Sequence, residues 1–130
     1  MKNIARYLMD NYYSKQSYPP PDEDQLYKAL DLNQDKVVVV HEGDQLLGVA
    51  VFLTLTDETF DNIASIDMLN VNTLSRLLQE KGENIHFIMV TTKGIKNILA
   101  GLRAVVRERN AKSVSWFSPD MSRLHKHRLN

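Results

Sequence analysis

Residues 85–117 constrain the fold more than any other stretch of the chain. IHFIMVT at 85–91 is apolar on both faces, positions 95, 98, 99, 102, 105 and 106 then form a helical stripe, and KSVSWF at 112–117 is again rich in strand formers. A strand apolar on both faces belongs inside a sheet that is covered on two sides. Two strands joined through a helix run parallel, and such crossovers are right-handed. Asn110, at the foot of the helix, suits the left-handed residue that ends one. The rest of the chain must then supply further strands and a second helical layer.

It supplies both. Ile4, Tyr7, Leu8 and Tyr12 fall near one face of a helix over 3–13, and SYPPP at 17–21 stops it, because proline lacks an amide donor and restricts its predecessor. Asp22 with Gln25 reads as a capping box for a second helix that turns Leu26, Tyr27 and Leu30 inward. KVVVVHE at 36–42 is β-branched on both faces and is predicted to be an interior strand. Residues 42–45 are a turn, and LLGVAVFLTL at 46–55 returns as a hairpin. Gly48 within it marks a bulge or a close backbone approach. DETFDNIASID at 57–67 is ambiguous, with a short helix as one reading. Asn72 then caps a helix carrying Leu74, Leu77 and Leu78, closed by Gly82.

The order α-α-β-β-(α)-α-β-α-β predicts an α/β (α+β) fold: a mixed, mostly antiparallel sheet flanked by helices, with a parallel βαβ unit near the C-terminus. Pro119 ends the last of these strands, leaving 118–130 as a basic C-terminal tail or a short edge strand. At 130 residues the chain suits a single domain over 1–130, burying about two thirds of its unfolded surface. It has no cysteine, which removes thiolate nucleophiles, zinc–thiolate sites and disulfides together and fits a reducing compartment. The first residues read as a soluble helix rather than a signal peptide, and no apolar run reaches the roughly 20 residues needed to span a bilayer. The expected location is cytoplasmic, with no membrane partner.

Net charge is zero but unevenly spread. Residues 1–92 carry 7 Lys/Arg and 14 Asp/Glu, whereas 93–130 carry 9 and 2. Two readings stand: a basic region built for an anion, or two halves that attract each other as they pack. The sign changes at TTKGIKN, 91–97, where the helix begins. A helix start has four amides without internal partners and a positive dipole end, so acids are favoured there. Here Lys93 and Lys96 occupy it, and the next acid after Glu83 is Glu108. An anion on the amides of Lys93, Gly94, Ile95 and Lys96 would reverse the unfavourable sign, with Gly94 allowing close approach. The alternative is that Thr91 or Thr92 caps the helix and the lysines sit in water.

This order of elements, with a cationic glycine-bearing turn after the first strand of a late βαβ unit, resembles the GNAT superfamily of N-acetyltransferases. The hairpin DKVVVVHEGDQLLGVAVF is similar to that family's second and third strands, IHFIMV to its fourth, TTKGIKN to its pyrophosphate loop, ILAGLRAVVRERN to the following helix and SVSWF to its fifth strand. The resemblance covers about residues 1–117. It implies that acetyl-CoA or another acyl-CoA lies between the splayed fourth and fifth strands, with Met89 and Val90 pairing with the pantetheine. Thr91, Thr92, Lys93, Gly94, Ile95 and Lys96 would then form the pyrophosphate loop. The implied activity is acyl transfer to an amine acceptor, small molecule or protein. The loop departs from the family's Arg/Gln-x-x-Gly-x-Gly/Ala pattern, since it carries only Gly94 and places Lys96 near the second small residue. A further helix and two strands that usually bring substrate contacts and a tyrosine acid have no counterpart.

Acyl transfer to an amine calls for a base, and His86 and Glu83 are the candidates by position at the fourth strand. His125 and His127 share one face of a short strand and have the spacing for metal ligands, but they lack a carboxylate partner. A basic edge strand is the favoured reading, and no metal is expected. No Gly-x-Ser-x-Gly elbow is present, which excludes that route to a serine hydrolase. The rival to an acyltransferase is a catalytically inactive GNAT-fold binding module. Its basic C-terminal face (Lys93, Lys96, Arg103, Arg107, Arg109, Lys112, Arg123, Lys126 and Arg128) would meet an acidic protein or a nucleic acid, with Trp116 and Phe117 available to stack bases. Nucleic acid is the less favoured of these partners, and a homodimer is compatible with either reading.

Overall fold

The structure, a computed structural model, describes residues 1–67, 70–118 and 122–129, with the backbone alone for Val71, Ile95 and Asn97. The strand end assigned to Pro119 lies outside these residues. The strands are β1 (Val37–Glu42), β2 (Gln45–Leu55), β3 (Asn84–Thr92), β4 (Ser113–Phe117) and β5 (Leu124–Arg128). They form one sheet in the order β1-β2-β3-β4-β5. Each neighbouring pair is antiparallel except β3–β4, which the helix between them makes parallel. The helices are α1 (Lys2–Asn11), α2 (Glu23–Leu32), α3 (Asp57–Asp61), α4 (Val71–Leu78) and α5 (Ile95–Glu108).

Two layers of helix explain the apolar strands. On one face Ile4 and Leu8 of α1, Leu26 and Leu30 of α2, and Leu74, Leu77 and Leu78 of α4 pack on Val49, Val51, Leu53, Leu55 and Met89. On the other, Leu102, Val105 and Val106 of α5 cover Phe52, Ile85, Phe87 and Val114. β2 is buried continuously from Gly48 to Leu55, because a strand covered on both faces has no reason to alternate. Gly48 is both things its sequence suggested. Leu47 beside it is the extra residue of a bulge opposite β1, and a Cβ on Gly48 would stand 3.2 Å from Thr92 Oγ1 and 3.3 Å from Ile98 Cδ1.

Three local readings need correction. Residues 36–42 were expected in the interior, yet β1 is an edge strand. Its valines are β-branched on both faces because Val37 and Val39 meet one helical layer and Val38 the other. Burial of faces and pairing of edges are separate properties. The cap of α4 is Asn70 rather than Asn72: its Oδ1 accepts from Asn72 N at 2.9 Å and Thr73 N at 3.2 Å. Gly82 does not close α4, which ends at Leu78, but lies where its α-carbon abuts the backbone of Leu55 and Thr56. Removing the Asn70 cap by Asn70→Ala is expected to cost about 1 kcal/mol and a few degrees of thermal midpoint. Asn72→Ala, at an exposed helical position, should leave the midpoint within a degree or two.

The C-terminal end of α4 is closed by a lysine. Lys36, only 6% exposed, sends its ammonium to the carbonyl of Leu78, one of those a helix end leaves without an internal partner, and to that of Glu80, which also accepts from Thr54 Oγ1. Desolvation lowers its pKa, while the helix dipole favours a cation at that end. The acidic and basic halves also meet directly, through Arg109–Asp35 at 3.3 Å and Lys112–Asp57 at 2.9 Å. Part of the charge asymmetry is therefore spent inside the fold. Residues 124–128 form the edge strand β5, and Lys126 donates to Phe60 O at 3.0 Å while lying over that ring.

Candidate functional site

The sheet forks at β3. Asn84–Phe87 pair with Ser113–Trp116 of β4, but β3 continues to Thr92 with no strand on that side among the described residues. The fork falls at a bulge: Val51 pairs with Met89 and Phe52 with Phe87, leaving Ile88 as the extra residue of β3. A bulge increases twist and bends the strand away from its neighbour, which is what opens the gap. Tyr12 fills the first vacated position, donating its hydroxyl to Ile88 O at 3.2 Å. Burial raises the Tyr12 pKa, so this phenol remains a donor at physiological pH.

Which β3 groups face the gap follows from antiparallel alternation. Lys93 N donates to Leu47 O at 3.0 Å, so the backbone groups of Thr91 and Met89 point toward β2. Those of Val90 and Thr92 point to the open side. Side chains divide the same way. Met89 and Thr91 are buried against the α1 layer, where Met89 Sδ accepts from Tyr13 OH at 3.5 Å and Thr91 Oγ1 donates to Asn11 O at 3.4 Å. Val90 and Thr92 line the gap, and Val90 is an apolar residue 37% exposed. Of the two residues expected to pair with a ligand along β3, Val90 turns its peptide groups to the open side and Met89 turns its own toward β2.

The gap opens into a cavity of about 710 Å³, within the usual range for small-molecule sites. Its walls are Phe87, Ile88 and Val90 of β3, Leu99, Leu102 and Val106 of α5, and Val114, Trp116 and Phe117 of β4, with Arg103 and Arg107 at the rim. Tyr12 and Gln16 close the α1 side. Neither guanidinium has a hydrogen-bond or ion-pair partner among the described residues, and both residues are solvent-exposed.

The turn that leads into α5 reaches the same opening through Thr92, and the helix itself through Leu99. Gly94 is its N-cap in an extended conformation, no side chain caps the first turn, and no acid lies in it. The four-amide cradle is nonetheless smaller than the spacing suggested. Lys93 N is taken by Leu47 O, and Gly94 N is taken by Thr92 Oγ1 at 3.2 Å. The same hydroxyl lies 2.7 Å from Gly94 O and 3.2 Å from Leu47 O, and its single proton serves one of them at a time. Thr92 therefore pins the turn without capping the helix. The amides from Ile95 onward remain without a side-chain cap, beside the exposed Lys93 and Lys96.

The two base candidates are not at this opening. His86 is fully buried on the face away from α5, with Nδ1 2.7 Å from Ser115 Oγ and its ring edge-on to Phe117 at 5.6 Å. Burial, with a smaller push from Lys126, lowers its pKa to about 4, and Nε2 has no partner. Such an imidazole is neutral and has no exposed surface. Glu83 is exposed before β3 begins, at the opposite end of that strand from the fork. His125 and His127 each stack on the Trp116 indole, with ring centroids 5.2 and 5.1 Å away. Among the described residues no group of three His, Cys, Asp or Glu stands close enough to hold a metal, and no helix is long and apolar enough to cross a membrane. Among the cavity residues that the sequence reading did not assign to a site are Tyr12, Ile88, Leu102 and Val106. Tyr12, Leu102 and Val106 did carry a signal, as members of apolar helical stripes.

No family model matches the chain, and no curated protein matches it by sequence. Among solved structures it is similar to the loading GNATL domain of CurA from Lyngbya majuscula, with a TM-score of 0.57 at 12% identity, over 90% of this chain. The chain spans 61% of that domain's length. At this identity the likeness is one of fold, and it identifies the five-stranded forked sheet as GNAT-like.

Proposed function

We propose that the chain binds an acyl-coenzyme A thioester in the fork between β3 and β4. The observation that carries this is the free edge of β3. It offers the peptide groups of Val90 and Thr92 to an extended amide-bearing arm, over an apolar cavity, beside a helix start that lacks both acid and cap. The amides from Ile95 onward, with the Lys93 and Lys96 side chains, would hold the pyrophosphate. Thr91, Thr92 and Gly94 act by shaping the turn, and Met89 by anchoring β3 to the α1 layer.

The reaction that fits is transfer of the acyl group to an amine. Among the described residues, no carboxylate or imidazole lines the cavity, so the acceptor would arrive already deprotonated, as an amine of low pKa does near neutral pH. His86 and Glu83 then have no part in catalysis. The same lack of a lining base favours a second reading, in which the domain binds the thioester without turning it over. The basic-face version of that reading is weakened, because Arg109, Lys112 and Lys126 are already engaged within the chain.

Thermal melting with acetyl-coenzyme A tests the binding. Ligand at 100 times its dissociation constant adds about 2.7 kcal/mol, a rise of several degrees for a domain of this size. Lys96→Glu should reduce the rise by more than half. An unchanged midpoint at millimolar ligand contradicts the proposal. Turnover is then read as release of free coenzyme A thiol in the presence of a panel of amines. The assay has no background from the protein, which has no cysteine. Binding without thiol release selects the second reading.

A further inference from the structure

We infer that the site takes acyl groups of medium chain length, with the chain lodged between α5 and the floor of the fork. This rests on the coenzyme reading above and adds a substrate class to it. The arm linking pyrophosphate to sulfur has about the backbone length of four extended residues, roughly 13 Å. Laid along β3 from the start of α5, it places the thioester beside Ile88, where pairing with β4 begins.

The cavity does not end there. On the α5 side its lining includes Phe87, Leu102, Val106 and Val114, the last of them below the fork, and these side chains also pack on one another. Val114 pairs with Ile85, three residues below the last free position of β3, and Leu99 to Arg107 span about 12 Å of helix axis. An acetyl group would leave this section empty or wet, although its walls offer a water almost nothing to bond. An alkyl chain of some six to eight carbons would displace that water, at about three- to fourfold in affinity for each methylene buried.

The alternative occupant is a short acyl chain ending in a carboxylate, drawn by Arg103 and Arg107. Both arginines are exposed at the rim rather than turned into the lower section, which is apolar, so the alkyl chain is favoured.

Calorimetric titration of the full chain with coenzyme A, acetyl-, octanoyl- and succinyl-coenzyme A decides between these. The expected result is octanoyl binding at least thirtyfold tighter than acetyl, with succinyl no tighter than acetyl. Val106→Trp, which narrows the lower section, should bring the octanoyl-to-acetyl ratio below about threefold. Equal affinity for acetyl and octanoyl overturns the inference and leaves the coenzyme reading standing, as does a preference for succinyl. Failure of all four to bind removes the coenzyme reading itself, and this inference with it.

Discussion

Gly82→Ala should lose most of the folded state at temperatures where the natural chain is stable. A Cβ at residue 82 would fall inside the van der Waals envelope of Leu55 C and O and Thr56 N. These are backbone atoms, at the point where β2 turns into α3, and they cannot swing aside as a side chain would. Leu55 also pairs with Asn84, and Asn84 Nδ2 donates to Leu55 O at 3.1 Å and to Asp57 Oδ1 at 2.9 Å, so the junction is tied from both sides. Ordinary overpacking costs about 1–3 kcal/mol, and a clash with backbone belongs at or above the top of that range. The expected drop in thermal midpoint is about 10 °C or more, measured by circular dichroism. A drop under 3 °C would mean that the approach of residue 82 to Leu55 is wrong.

A second large effect is acid lability centred on His86. Its imidazole is held neutral by burial, with a pKa of about 4 in the folded chain against 6.5 unfolded. The unfolded state therefore binds the extra proton first as pH falls. The stability tied to the neutral ring is fully present above pH 6.5 and is lost progressively between 6.5 and 4. A gap of this size amounts to about 3 kcal/mol across that window. Urea denaturation at pH 7.5 and 4.5 should show the loss as a lower midpoint. His86→Gln, which cannot take up a proton, should be weaker at pH 7.5 but should flatten the dependence between the two. An equally steep fall in the variant would place the proton uptake elsewhere.

Much of the architecture was legible because it rests on local rules. The β-helix-β pattern over 85–117, the Asp22 cap, the two-residue turn at Gly43–Asp44 and the left-handed Asn110 all follow from periodicity or from one residue's conformational freedom. The misreadings share a cause. Periodicity reports which faces are covered, so it could not reveal that Val37–Glu42 lacks a neighbour along one edge. Gly82 was read as a helix stop because its true constraint, the Leu55 backbone, lies 27 positions earlier in the chain.

The turn before α5 was legible as a helix start without an acid, but the fate of its amides was not. Two of the four amides assigned to an anion are consumed locally, Lys93 N by Leu47 at a bulge in β2 and Gly94 N by Thr92. The first contact is non-local, and nothing in TTKGIKN announces it. Strand alternation from Lys93 would have separated Val90 and Thr92 from Met89 and Thr91, had the Ile88 bulge and the pairing register been known. Tyr12 reaches Ile88 across 76 residues, beyond any local rule. His86 looked eligible by residue type and position, and only its burial removes it.

The most direct measurement is amide hydrogen exchange of β3, followed residue by residue with and without saturating acyl-coenzyme A. If the thioester arm lies along the open edge, exchange at Val90 and Thr92 slows at least tenfold, while Met89 and Thr91, already bonded to β2, change little. Binding that leaves Val90 and Thr92 unprotected would put the ligand elsewhere on the molecule and contradict the assignment of the fork as its seat.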